Sequence, residues 1–176
     1  MKVHSLSVGS KEFEEVAQYI TKTWKNACIM DIQRVEEHCM FEKYNALKQT
    51  MPEPNEQMLF HGTHESAVNS ILEFGYDPLF AKVCAYGMGV YFAADASYSY
   101  NYMPSKKDLS GFDLSYMFVN SVLVGRSISG TSNSICNLNQ ADTQVDSVKN
   151  PKIFSVPRAE QAIPKYVIAF HKNAQL

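Results

Sequence analysis

Three short stretches of the chain carry side chains suited to chemistry. In Leu59-Phe-His-Gly-Thr63 an apolar strand runs into a polar corner, where a glycine lets backbone approach a ligand and the flanking side chains donate and accept hydrogen bonds. Two readings of His61 stay open on these residues alone: a ligand contact, or a structural histidine satisfied at a strand end. The second stretch, Tyr86-Gly-Met-Gly-Val-Tyr-Phe-Ala93, has a Gly-x-Gly but neither the third glycine nor the helix start of a dinucleotide fingerprint, so it is not a Rossmann loop. In the third, Tyr98, Tyr100 and Tyr102 alternate with small polar residues including Ser97 and Ser99, an arrangement that walls a slot for a planar ring or packs one helix face.

Other chemistry finds little support. His61 and His64 are the one close histidine pair, with no thiol beside them in sequence, and no metal is expected. Cysteines 28, 39, 84 and 136 form no Cys-x-x-Cys pair and read as reduced, mostly buried thiols.

These stretches need elements to hold them. Ser10 caps a helix expected over 11–24, with Glu12, Glu14 and Glu15 in its first turn and Phe13, Val16, Ala17, Ile20 and Trp24 at helical spacing. Residues 28–35 read as a strand with Cys28, Met30 and Ile32 on one face, and helical spacing resumes from Met40 to about Gln49. Two prolines at 52 and 54 break the chain before a strand over Met58-Leu-Phe60. A helix through Ala67, Val68, Ile71 and Leu72 follows, closed by Gly75 in the left-handed conformation. A strand over 89–92 leads into a short helix over 95–102. From Leu114 the chain alternates: Leu114, Tyr116, Phe118, Val122 and Val124 on one face, Met117, Val119 and Leu123 on the other, a strand buried on both sides. Residues 125–147, rich in Ser, Asn and Thr, read as a long irregular loop. The last strands lie over 153–156 and 166–170. Helices gathered in the first half and strands in the second give an α+β class with a mostly antiparallel sheet.

Composition narrows the function. The 176 residues suffice for one domain, and 45% apolar content with ten Phe and ten Tyr fills its core. A formal net charge of −2 lacks the basic footprint of a nucleic-acid binder, and no apolar run spans a bilayer. An intracellular, monomeric chain is expected, with no membrane and no nucleic-acid partner.

The order of the motifs adds what none carries alone. Phe60-His-Gly-Thr63, Tyr86-Gly-x-Gly-x-Tyr-Phe-Ala93, Ser97-x-Ser99-x-x-Tyr102 and Pro164-x-Tyr-Val-Ile168 together resemble the catalytic domain of the poly(ADP-ribose) polymerases, the diphtheria-toxin-like ADP-ribosyltransferases. The resemblance covers the chain from about Lys11 to Phe170 and is strongest to the branch that transfers a single ADP-ribose. It implies a split-sheet fold spanning 1–176 as one catalytic domain, with NAD+ as co-substrate. It also implies site residues. His61 would bond the adenosine ribose, Gly62 and Ser99 the nicotinamide carboxamide, and Tyr91 and Tyr102 would sandwich the nicotinamide ring. Thr63 would touch the adenine ribose and Tyr86 would add an aromatic wall, while Phe92 and Ala93 complete the cofactor-binding motif.

Two departures shape the expected activity. Val167 stands where polymerising members have the glutamate of their His-Tyr-Glu triad, and valine can neither bond a ribose hydroxyl nor polarise an incoming one. Single transfer to a protein acceptor, including the protein itself, is therefore implied. The segment Tyr76 to Ala85, matching the donor loop, is short and offers only Lys82 to a phosphate. With 60 residues ahead of His61, all used by the catalytic fold, no autoinhibitory helical subdomain is expected. The alternative is a catalytically silent module of the same fold, against which the presence of His61, Tyr91, Ser99 and Tyr102 argues. An RNA 2′-phosphotransferase on this fold is disfavoured by the lack of basic residues around the motifs. The location implied is cytoplasmic or nuclear.

Overall fold

The computed structural model of the chain describes residues 2–81, 84–103, 106–107 and 113–171. Its strands are β1 (Lys2–Ser5), β2 (Cys28–Glu37), β3 (Glu56–Thr63), β4 (Val90–Ala93), β5 (Lys106–Lys107), β6 (Asp113–Leu123), β7 (Ser127–Ser129), β8 (Thr143–Val145), β9 (Ile153–Val156) and β10 (Ala162–His171). The helices are α1 (Lys11–Thr21), α2 (Phe41–Thr50), α3 (Glu65–Phe74) and α4 (Ala96–Tyr100). Strands order as β1-β2-β10-β6-β3-β4-β9-β8-β7, with β5 also on β6, and every pairing is antiparallel except β7 with β8. The class is α+β, as the patterning implies.

The alternation along β6 organises the molecule. Phe118, Val122 and Val124 join one apolar cluster with Ile71 and Leu72 of α3, while Met117 and Val119 join another with Val16 and Ile20 of α1. Burial on both faces makes β6 the central strand, since each such side chain contributes roughly 1.5–3 kcal/mol when fully buried. Ser10 caps α1, its Oγ accepting from the Phe13 N–H at 3.3 Å.

One seam in the sheet matters for function. β3 and β4 share a single paired position, Phe60 with Ala93, whereas β3 pairs with β6 over eight residues. Beyond that position the strands part, so the sheet divides into two halves joined at one point.

Several expectations need correction. The first helix ends at Thr21, with Trp24 only turning back to the Ile20 carbonyl at 3.0 Å. Met30 does not share a buried face with Ile32. Between Ala169 and Phe170 the register slips so that Asp31 and Ile29 are the paired residues, and Met30 sits on the bulge, 48% exposed. His61, Gly62 and Thr63 are not a corner after the strand but its last three residues, held by pairing with Phe118, Met117 and Tyr116. Gly75 ends α3 at positive φ (83°), but its ψ of −166° is not that of a left-handed helix. Residues 125–147 are not irregular throughout: they supply β7 and β8, and Ala141, Thr143 and Val145 are fully buried. Strands also run through the first half of the chain rather than gathering in the second. All four cysteines are free; Cys84 and Cys136 are buried, Cys28 half-buried and Cys39 exposed. Lys82 lies outside the described residues.

Candidate active site

Residues of the first three motifs meet at the seam between the half-sheets; the fourth, with Val167, lies on β10 behind β6 and does not reach it, contrary to the expectation for that residue. His61 follows Phe60, the last β3 residue paired with β4, and its Nδ1 lies 2.8 Å from the Tyr91 carbonyl oxygen. A carbonyl only accepts, so Nδ1 carries the proton and Nε2 is left as an acceptor. Burial pushes the imidazole below its ordinary pKa, outweighing the carbonyl bond that favours the charged form, and the ring is neutral at pH 7.

The ring is held from behind. Tyr76 meets it edge-on at 5.0 Å between centroids, and Phe92 lies at 5.6 Å. Tyr76 in turn donates to Asn120 Oδ1 at 2.6 Å, and the Asn120 amide donates to the Leu59 carbonyl at 3.2 Å. The sequence reading missed both residues. Its available signal was Asn120, a polar residue inside the apolar run of a central strand.

Gly62 is a glycine because α4 comes so close. A Cβ there would stand 2.2 Å from the Ser99 carbonyl oxygen and 2.9 Å from Met103 Cγ. That same carbonyl accepts the Tyr102 N–H at 3.0 Å, so one oxygen ties together Gly62, the buried Ser99 and Tyr102. The Tyr102 ring is 56% exposed and rests on Tyr98, with centroids 5.5 Å apart and hydroxyls 3.2 Å apart.

On β4, Val90 and Phe92 enter the cluster with Tyr76 and Phe118, and alternation turns Tyr91 the other way. Its hydroxyl donates to the Gly87 carbonyl at 2.7 Å and accepts the Tyr86 N–H at 2.8 Å. Ser155, opposite Tyr91 on β9, donates to the same Gly87 oxygen at 2.9 Å. Tyr91 thus shapes the Gly-x-Gly segment that carries Tyr86. The turn at 130–134 presses on this segment too: the Met88 N–H reaches the Ser134 carbonyl at 2.8 Å, and a Cβ on Gly130 would stand 1.9 Å from the Tyr86 oxygen. Ser155 was another polar residue in an apolar strand that the sequence reading passed over.

The remaining motif residues are less open. Phe92 and Ala93 are each 2% exposed and Thr63 6%, so Phe92 serves as the back wall of His61. Val167 is 4% exposed and sits in one cross-strand row, Gln33–Val167–Phe118–His61, with Phe118 between it and the histidine. Two strand spacings separate Val167 from His61, about 10 Å. Among the described residues no three His, Cys, Asp or Glu side chains form a metal cluster.

A neutral histidine, a glycine backbone against a buried serine and two tyrosines at a split in the sheet occur in the order the resemblance requires. A family model described as the poly(ADP-ribose) polymerase catalytic domain matches residues 10–161. The chain belongs to that family. Within it, the chain is 33% identical over 95% of its length to protein mono-ADP-ribosyltransferase PARP11 of Mus musculus, and spans 60% of that protein. It is 32% identical over 97% of its length to protein mono-ADP-ribosyltransferase PARP12 of Homo sapiens, spanning 26% of it. A third relative, protein mono-ADP-ribosyltransferase PARP14 of Homo sapiens, is 31% identical over 92% of the chain, which spans 10% of that protein. The chain therefore covers less than two thirds of each of these mono-ADP-ribosyltransferase relatives. Val167 lies beyond the family match, within β10, an interior strand paired with β2 and β6.

Proposed function

We propose that the protein is an NAD+-dependent mono-ADP-ribosyltransferase that moves one ADP-ribose to a protein acceptor and releases nicotinamide. The observation that carries this reading is the Ser99 carbonyl, which binds the Tyr102 N–H and touches Gly62, gathering the nicotinamide-binding residues of the family at one place.

The chemistry follows from the donors and acceptors. Gly62 backbone and the Ser99 hydroxyl fix the carboxamide, and the Tyr91 and Tyr102 rings flank the flat pyridinium, whose positive charge is attracted to their faces. His61 Nε2 accepts a hydrogen bond from a hydroxyl of the adenosine ribose, a role open to it because its Nδ1 proton is committed to Tyr91. Held at both ends, the glycosidic C1′–N bond breaks with its electron pair leaving on nicotinamide. The sugar passes through an oxocarbenium-like state. The acceptor nucleophile then bonds to C1′ and its proton passes to water. Single transfer is the reading the mono-ADP-ribosyltransferase relatives support; Val167, buried behind Phe118 and two strands from His61, takes no part in it. The four unpaired cysteines and the use of NAD+ suit the cytoplasm or nucleus, where we place the protein.

Intact-mass spectrometry after incubation with NAD+ tests the reading. Mass should rise by single ADP-ribose increments on separate acceptor residues. Linked ladders on one residue would overturn single transfer, and no adduct on itself or on any added protein would overturn the transferase.

A further inference from the structure

A second pocket lies away from the seam, between α1 and the sheet, on the face that carries Phe60 and Gly62. Its volume is about 140 Å³, and Glu15, Val16, Tyr19, Met58, Val119 and Tyr166 line it. That is close to the roughly 150 Å³ of a cavity that holds one benzene ring, so it has room for one side chain and not for a nucleotide. Val16 and Val119 form an apolar floor, 7% and 1% exposed, while Met58 stands at the rim, 37% exposed.

The two tyrosines are preset as walls. The Tyr19 hydroxyl donates to the Met58 carbonyl, and its ring stacks on Phe60 at 5.0 Å and 22°. The Tyr166 hydroxyl donates to Glu12 at 3.0 Å, and Arg34 holds Glu12 by an ion pair. Both hydroxyl protons are spent on these bonds, leaving ring surface and the oxygen lone pairs as what the two tyrosines offer. Glu15 adds a carboxylate. Its ion pair with Lys11 is long, 3.8 Å, with side chains 64% and 91% exposed, and a pair of that kind is worth little and exchanges readily. Burial, and then the charge of Asp95, raises the Tyr19 phenol, though Asp95 is itself paired with Lys152 at 3.0 Å, so Glu15 is the carboxylate the pocket offers.

We infer that this pocket receives a lysine side chain of the acceptor protein and so docks the acceptor beside the catalytic seam. An aliphatic stem suits the floor, and a cationic tip suits two aromatic rings with a carboxylate at the rim. The compact ammonium on its unbranched stem suits a volume of about one side chain, with its point charge beside Glu15. Met58 and Gly62 are four residues apart on β3, about 13 Å, a span that four residues of an extended acceptor chain cover. The inference rests on the transferase reading only in naming the bound lysine as an acceptor's.

Two measurements test it. In an NMR titration, n-butylammonium should shift the resonances of Glu15, Tyr19 and Met58 at lower concentration than n-butanol. Glu15→Gln should weaken the ammonium by about two- to fivefold while leaving n-butanol unchanged. Equal binding of the two probes, tighter binding of n-propylguanidinium, or no shifts at these residues overturns the pocket assignment. With a lysine-rich histone mixture as acceptor, Glu15→Lys should slow histone modification by about threefold or more at an unchanged rate of NAD+ cleavage to water. Equal rates of histone modification overturn the docking role. Absence of any NAD+ cleavage in the unaltered protein would instead overturn the transferase reading, with the titration still deciding what the pocket binds.

Discussion

The imidazole of His61 spans the split in the sheet to the carbonyl oxygen of Tyr91, 2.8 Å from Nδ1, at the point where β3 and β4 have ceased to pair. One side chain thus does for Tyr91 what a strand N–H would do in a continuous sheet, and in the same act fixes its own tautomer. Structural and ligand readings of His61 are not alternatives, because the bond that satisfies one nitrogen frees the other to accept.

This tautomer predicts a pH dependence. Burial lowers the folded pKa of His61 below 6.5, so the neutral ring's contribution to stability is full above that value and is lost as pH falls through it toward the folded pKa. Protonation also turns Nε2 from acceptor to donor. Affinity for NAD+, measured by calorimetry, should be flat from about pH 7 to 8 and fall on the acid side; His61→Gln should remove the acid limb. An acid limb that persists in the variant would place the titrating group elsewhere.

Gly62→Ala should damage both fold and site. The added methyl would overlap the Ser99 carbonyl, an oxygen fixed by the Tyr102 N–H, so the backbone must move rather than a flexible side chain. Overpacking of this kind costs roughly 1–3 kcal/mol. Thermal melts should show the loss, and a nicotinamide analogue should bind at least tenfold more weakly; unchanged analogue affinity would remove Gly62 from the site.

Tyr91→Phe separates the ring from its hydroxyl. The ring remains, while the Tyr86 N–H loses its acceptor and Gly87 keeps only Ser155. Leaving such groups unmet costs about 1–3 kcal/mol. The expected outcome is a lower melting temperature and a loosened Tyr86 segment visible in hydrogen exchange. Analogue binding should fall less than in Tyr91→Ala, and the opposite ranking would mean that stacking is not what the ring supplies.

Val167→Glu should not yield a polymerase. The side chain is 4% exposed, with Phe118 on one side and Gln33 on the other, so the new carboxyl is desolvated and lowers stability. Denaturant melts should show the loss, and adducts should stay single, because chain growth also needs a surface that holds a bound ADP-ribose in line. Efficient ladders from this variant would show that the glutamate was the only missing part.

Glu56 is a place away from the site where acid should erode stability. Burial pushes its carboxyl up, but hydrogen bonds from Lys48, Ser121 and Tyr44 prevail and hold it at about 2. Being lower than the ordinary 4.5, this pKa stabilises the fold fully above 4.5 and ceases to do so as pH falls toward 2. Urea melts between pH 3 and 6 should show this loss in the unaltered protein and a flatter profile in Glu56→Gln.

Much of this was legible in the residues themselves. The two faces of β6 are written as alternation from Tyr116 to Val124, and the start of α1 as Ser10 ahead of three glutamates. The order of four motifs was enough to place the family, but Val167 lies in the core behind Phe118 and not at the seam.

The sequence alone determined the alternation of β6, the Ser10 cap of α1 and the residue types at the site. Tertiary structure decided the partners. The row Gln33–Val167–Phe118–His61 joins residues from four strands, the Met30 bulge depends on where β10 slips against β2, and β7 and β8 are strands only because they find each other and β9. The Tyr76–Asn120 bond behind His61 likewise spans 44 positions. Local patterning is a property of neighbours in the chain. Register is set by backbone hydrogen bonds and packing between segments far apart, whose closure entropy and geometry no short window of sequence contains.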